Sequence, residues 1–300
     1  MTRWIGIIMD PMNLLAEPLA AWYGSHARDL PWRRGGATPW SILLSEIMLQ
    51  QTPAARVVPY WQAWTSTWPT PRDLAEASTA EVIQAWGTLG YPRRALRLRE
   101  CATVISDQYG NEVPSHESLL RSLPGIGEYT AAAVAAFAFK KRTVVLDTNI
   151  RRVLSRTCAG KALPLPHLTT AERSMAARLV PDQTPASVVW NQATMELGAV
   201  VCKAREAACE SCPVKHLCAW RSAGFPGDLH AGQRRAQPWQ GTNRQARGQV
   251  MAILREADGE AVPMAAILAA SPDSARILTA LDGLISDGLA VHEGQAVRLP

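Results

Sequence analysis

Four of the chain's six cysteines fall within a single loop-sized segment: Cys202, Cys209, Cys212 and Cys218, spaced C-x6-C-x2-C-x5-C. Four soft thiolates so close in sequence make a tetrahedral sulfur site suited to zinc or to an iron–sulfur cluster. Two disulfides are the plainer alternative. They are disfavoured because the opening WIGIIM stretch is too short and wrongly flanked for a secretory signal, and intracellular thiols stay reduced. Cys101 and Cys158 stand apart in apolar helical sequence and read as ordinary buried residues. Spacing alone leaves zinc and iron–sulfur both open.

Two acids are isolated in apolar surroundings. Glu46, in Leu44-Ser45-Glu46-Ile47-Met48-Leu49-Gln50-Gln51-Thr52, is the only charged residue between Arg34 and Arg56. A carboxyl so placed is expected to be buried with a raised pKa, which suits a proton donor. The alternative is a Glu on an exposed helix face. Asp147 ends the run Val144-Val145-Leu146 and opens a helix. It reads as an N-cap or as a carboxylate that stabilises a positively charged sugar.

Between these acids lies Leu123-Pro124-Gly125-Ile126-Gly127, a tight turn joining two helical stretches. The first amides of the second helix can bind a phosphate through backbone N–H groups and the helix dipole. A lone G-x-G is usually a plain turn. Set between amphipathic helices, it is a candidate helix-hairpin-helix contact to a nucleic-acid backbone.

The elements that must position these residues are helices. Apolar residues recur at three- and four-residue spacing over 14–23, 40–49, 54–66, 79–86, 92–109, 116–122, 129–139, 147–158, 169–179 and 185–198. That predicts an all-α domain of about 220 residues. Residues 219–248, rich in Arg, Gln, Gly and Pro, read as linker. Helices over 249–258, 264–270 and 274–287 and a hairpin of 289–292 with 296–299 suggest a small winged-helix-like module. Its third helix carries Asp273, Asp282 and Asp287 against Arg276 alone, which favours a packing or partner module over a DNA reader.

The 300 residues suffice for about two domains. At 47% hydrophobic and 19% charged, the composition is that of a globular protein, with no apolar run long enough for a membrane span. The net charge of +5 is uneven. Residues 249–300 hold three Lys/Arg and seven Asp/Glu, whereas the preceding body holds 28 basic and 19 acidic residues. A basic body suggests a polyanionic partner, although a generically Arg-rich surface would look similar. The apolar start leaves Met9 or Met12 as alternative beginnings and points to the cytoplasm.

LPGIG-EYTAAAV, VVLDTNIRRV, LSEIMLQQT and the cysteine loop together resemble the helix-hairpin-helix DNA glycosylases with a 4Fe–4S cluster, in particular MutY-type adenine DNA glycosylases. The resemblance spans about Trp22 to Trp220. It implies a two-lobed fold, with 12–36 and 146–220 as the cluster-bearing lobe and 37–145 as a helical barrel lobe with the hairpin. A linker over 221–248 and the winged-helix-like domain 249–300 would follow.

It also implies a monofunctional base-excision enzyme, cytoplasmic and nucleoid-associated, removing adenine opposite 8-oxoguanine or guanine. Glu46 would protonate the flipped adenine, Asp147 would stabilise the oxocarbenium ion, and Asn149 would help position the reacting groups. Tyr129 stands where lyase relatives carry a Schiff-base lysine. Gln51, Thr52, Leu89, Tyr91, Gly125 and Gly127 would contact DNA, and Arg28, Leu30, Trp32 and Gln192 the adenine. Cys202, Cys209, Cys212 and Cys218 would hold a 4Fe–4S cluster with a mainly structural task. The partner would be mispaired double-stranded DNA, bound by a monomer and followed by abasic-site-processing enzymes, with no membrane.

Two departures stand out. Pro92 follows Tyr91 where a second Tyr is commoner, and the acidic module replaces a larger Nudix-like domain. A thymine/guanine mismatch glycosylase, an endonuclease III-like glycosylase/lyase and a catalytically silent cluster protein are the competing readings. The presence of both Glu46 and Asp147 weighs against the last.

Overall fold

Short polar caps and buried apolar stripes set the helices in a computed structural model that describes residues 11–234 and 239–300. In chain order these are α1 (Pro11–His26), α2 (Pro39–Met48), α3 (Ala54–Thr67), α4 (Pro71–Glu76), α5 (Thr79–Trp86), α6 (Arg93–Gln108), α7 (Glu117–Ser122) and α8 (Glu128–Phe137). Then come α9 (Thr148–Thr157), α10 (Thr170–Leu179), α11 (Thr184–Val200), α12 (Ala219–Ser222), α13 (Asn243–Glu256), α14 (Met264–Leu268) and α15 (Ser274–Ser286). Three short strands, β1 (Val262–Pro263), β2 (Val291–Glu293) and β3 (Ala296–Arg298), form an antiparallel sheet in the order β1-β3-β2. Of the alternative starts, Met9 lies outside the described residues and Met12 falls in α1.

The chain divides into two units: 1–29 with 127–235, and 30–126 with 236–300. These boundaries differ from those expected at 36/37 and 145/146. In the first unit, α1, α8, α9, α10 and α11 pack around Leu19, Ile150, Leu154, Trp190 and Leu197. Capping boxes from Thr169/Glu172 to α10, and the cap of Asp147 on α9, satisfy amides that would otherwise lack partners.

In the second unit, α2 is buried along nearly its whole length, from Trp40 to Met48. Thr38 caps it and Pro39 starts it, so the helix needs no charge at its N-terminus. Helix α4 lies where no helix was expected; six residues are too few to show periodicity, and the Thr70/Asp73 capping box is its main signal.

Helix α13 begins six residues before the expected start, because Thr242 accepts from Gln245 N and ends the linker early. The C-terminal segment does share a helical and hairpin arrangement with the winged-helix expectation. It is not a free-standing domain, however: Ile83 of α5 is fully buried in the core formed by Val250, Leu254, Ile277, Leu281 and Val297. A second correction concerns Cys158, which was expected to be buried. It is exposed at the C-cap of α9, while Cys101 is fully buried and its thiol is pushed up to about 12 by desolvation.

Candidate functional site

In the first unit, Asp147 caps α9 and accepts from Ile150 N at 2.6 Å through Oδ1. Asn149 Nδ2 donates to its other oxygen at 2.7 Å. The cap and the candidate charge stabiliser are therefore one group. The residue keeps some solvent access, yet the protein around the carboxyl raises its pKa by desolvation, against the opposing pull of Ile150, Asn149 and the Arg152 cation.

Arg152, one turn along α9, was not singled out from sequence. Its Nη2 donates to Asn149 Oδ1 at 2.8 Å and to the Gly198 carbonyl at 2.6 Å, and its Nε donates to the Cys202 carbonyl at 2.7 Å. One guanidinium thus ties the candidate carboxylate's neighbour to α11 and to the start of the cysteine loop. Arg156, a further turn on, is also buried. It donates to Cys202 Sγ at 3.3 Å, to the carbonyls of Lys203 and Ala204, and stacks 4.3 Å from the Trp220 ring. A buried cation four residues from a buried cation on a helix was the available signal for both.

All four loop cysteines line one cavity of about 20 Å3 with Arg156 and Trp220. Among the described residues, no three ligating side chains are grouped as a single metal ion requires. A zinc tetrahedron would bring the sulfurs to about 3.8 Å from one another. The four thiols share one lining with Arg156 and Trp220, a donor set of soft sulfurs that suits either kind of centre. Arg156 places a positive donor on Cys202 Sγ, which would offset the charge of a thiolate there.

The adenine-pocket expectations fall in both units. Arg28 forms a bidentate pair with Glu196: Nε to Oε1 at 2.6 Å and Nη2 to Oε2 at 2.9 Å, with the Arg28 amide on Oε1 at 3.1 Å. Glu196 is fully buried on α11, four residues beyond the half-buried Gln192. It escaped the sequence reading, although it is the lone acid in an apolar helix. In the second unit Leu30 and Trp32 are buried, Trp32 edge-on to Trp61 at 5.9 Å. Glu46, also in the second unit, is buried on α2 as expected, two residues from that helix's end.

The expected wedge loops are held by a residue the sequence reading passed over. Arg94 Nη1 donates to the carbonyls of Ile47 at 2.8 Å and Gln50 at 2.6 Å. Its Nη2 donates to Leu89 at 3.2 Å, Gly90 at 3.0 Å and Thr52 Oγ1 at 3.3 Å. This one cation caps α2 and joins the Gln51–Thr52 loop to the Leu89–Tyr91 loop. Burial lowers its pKa to about 10, still charged at neutral pH. Gln51 and Tyr91 both have left-handed backbones, with φ of 58° and 50°, and both are exposed. Such conformations cost non-glycine residues energy and persist only where the surroundings impose them.

In the hairpin, Ile126 N donates to the Leu123 carbonyl at 3.2 Å, closing the turn. Gly125 has φ 76°, and a Cβ there would meet Arg97 Cβ at 3.0 Å, so the turn demands glycine. Gly127, the N-cap of α8, is different: a Cβ there would meet no protein atom. Tyr129 follows in the first turn of α8, half-buried against the first unit's core.

The family model described as the HhH-GPD superfamily of base excision DNA repair proteins matches residues 44–178. The chain is 48% identical over 279 residues to the adenine DNA glycosylase of Mycolicibacterium smegmatis, with 93% of each covered. It is 45% identical over 285 residues to the adenine DNA glycosylase of Mycobacterium tuberculosis, covering 95% of this chain and 93% of that one. A solved structure of a thermostable thymine-DNA glycosylase matches with a TM-score of 0.64 at 29% identity, over 71% of this chain and 97% of its own.

Proposed function

Because the chain belongs to the adenine DNA glycosylases of the HhH-GPD superfamily, we propose that it excises adenine mispaired with 8-oxoguanine or guanine and leaves an abasic site. The observation that carries the mechanism is the fixed Asp147 carboxyl, held on one oxygen by a helix amide and on the other by Asn149.

The adenine must first leave the base stack. Gln51 and Tyr91 occupy the vacated space and meet the opposite purine, which suits their exposed, rigidly held loops. Glu46 donates a proton to the departing adenine, making it a better leaving group. As the bond to the sugar breaks, positive charge grows on the ring, and the ionised Asp147 stabilises it. Asn149 holds that carboxylate in place. Water then adds to the sugar and completes the hydrolysis.

Tyr129 supports a monofunctional course, since a phenol cannot form the imine through which a lysine couples base loss to strand cleavage. Gly127 supports backbone contact with DNA, because nothing within the protein requires its missing Cβ. Cys202, Cys209, Cys212 and Cys218 would hold a 4Fe–4S cluster, which would supply structural order to the loop carrying Lys203 and Arg205. The Glu46 and Asp147 chemistry needs no electron.

The test is a set of duplexes with adenine opposite 8-oxoguanine, adenine opposite guanine, thymine opposite guanine, or an oxidised pyrimidine. Adenine loss with strand scission only after alkali supports the reading. Thymine loss would move the chain to the mismatch-thymine enzymes. Scission without alkali, trapped by borohydride, would make it a lyase.

A further inference from the structure

Within the second unit, residues 87–93 and helix α13 enclose a groove of about 840 Å3. Tyr91 and Trp239 line it, each about half exposed, at 45% and 53%. Arg93, Arg244, Arg247 and Arg255 line it too, with no carboxylate among the lining residues. Asp287 lies behind, paired with Arg247 at 2.6 Å and Arg93 at 3.3 Å. Four cations against Asp287, and the Glu256 that neighbours Arg255, leave the groove positive.

The groove is built rather than incidental. Arg244 sits 5.6 Å from the Tyr91 ring, and Arg94 lies 5.8 Å from the same ring. Gln84 Nε2 donates to the Arg255 carbonyl at 2.9 Å, and Ile83 is buried in the module's core, so α13 is fixed to the helix that precedes the Tyr91 loop. The acidic third helix had suggested a packing module. It is the first helix, α13, that faces the groove, and the acids capping α15, Asp273 and Asp287, are held in ion pairs.

We propose that this groove binds a segment of the DNA strand opposite the excised base, with phosphate on Arg244 and an unstacked base against Trp239. Guanidinium groups hold phosphates and aromatic faces stack bases without regard to sequence, and both kinds of side chain line this one groove. The groove is continuous with Tyr91, and the choice of strand rests on the reading of Tyr91 as a wedge. The C-terminal module is then a DNA-gripping element.

Full-length Trp239→Ala, Arg244→Ala and Arg244→Lys would be titrated by fluorescence anisotropy against a labelled duplex with adenine opposite 8-oxoguanine, from about 50 to about 200 mM salt. Trp239→Ala should raise Kd about tenfold. Arg244→Ala should raise Kd and reduce the slope of log affinity on log salt by about 1, and Arg244→Lys should restore that slope. Kd and slope unchanged in both alanine variants would overturn the proposal. Adenine release, scored in parallel, separates it from the substrate reading. A wild-type protein that releases no adenine but shows the expected binding losses keeps the groove and loses the substrate. Normal adenine release with unchanged binding removes the groove alone.

Discussion

Asn149 and Gly198 pack with no room for a methyl group between them: a Cβ on Gly198 would lie 2.6 Å from Asn149 Cβ. The Gly198 carbonyl also accepts from Arg152, which in turn holds Asn149, which holds Asp147. Glycine here sets how closely α9 and α11 approach, and so where the candidate carboxylate stands. Gly198→Ala should destabilise by about 2 kcal/mol through overpacking. It should also slow single-turnover adenine excision by more than about tenfold, since small misplacements of reacting groups are costly. Wild-type melting and excision would remove this contact from the account.

The pH dependence should carry the signature of Asp147. Its pKa is raised above 3.8 by desolvation, and the proposed role needs the ionised form. Excision should therefore fall away on the acid side at a pH above 3.8. For stability, the folded chain binds this proton more tightly than the unfolded chain. The contribution is present in full below 3.8 and is lost as pH rises through the folded pKa. Thermal melts of wild type and Asp147→Asn across about pH 3 to pH 8 should show the wild type's relative stability declining upward. A difference that does not change with pH would contradict the shift.

Glu46→Gln keeps the shape of a buried side chain and removes its proton-donating capacity. Duplex binding should stay within about twofold of wild type while single-turnover excision drops by about 10³, the usual scale of general acid catalysis. Retained excision would end its role as the acid.

Arg94→Lys tests whether one planar cation holds both wedge loops. A lysine cannot reach carbonyls of Ile47, Gln50, Leu89 and Gly90 together. The expected loss is about 3 kcal/mol of stability, from buried carbonyls left without a charged donor, with weaker binding of mispaired duplex. Calorimetry and anisotropy measure the two separately, and unchanged values in both would refute the role.

For the cysteine loop, the purified protein should be brown, with iron and acid-labile sulfide in equal amounts. Arg156→Met removes the donor to Cys202 Sγ and two carbonyl contacts that order the loop. Visible absorption should then be lost to a chelator about tenfold faster. A colourless, zinc-loaded wild type would refute the cluster.

Much of the fold was legible because long amphipathic helices write their period into the sequence. Ten of the expected stretches correspond to helices α1–α3 and α5–α11, while α4 was missed for being too short. The isolated acids and the cysteine spacing were legible for a related reason: a charge in an apolar run, or four thiols in one loop, is improbable unless used. Lone acids also mark Glu196, which went unread because an acid on a long helix is usually solvent-facing.

The sequence by itself determined the residue types available for chemistry: two acids able to act on a glycosidic bond, a tyrosine where an imine-forming lysine would act differently, four thiolates and a glycine hairpin. Only the tertiary structure decided how they are held. Arg94 and Arg152 each satisfy carbonyls or amides from segments far apart in sequence, and Arg94's partners lie 42 to 47 residues away on α2 and its loop. Tertiary structure likewise joined α13 to the Tyr91 loop through a shared core with Ile83. Such links depend on which surfaces meet after the chain folds back. Local periodicity reports which face of an element is buried, but not against what.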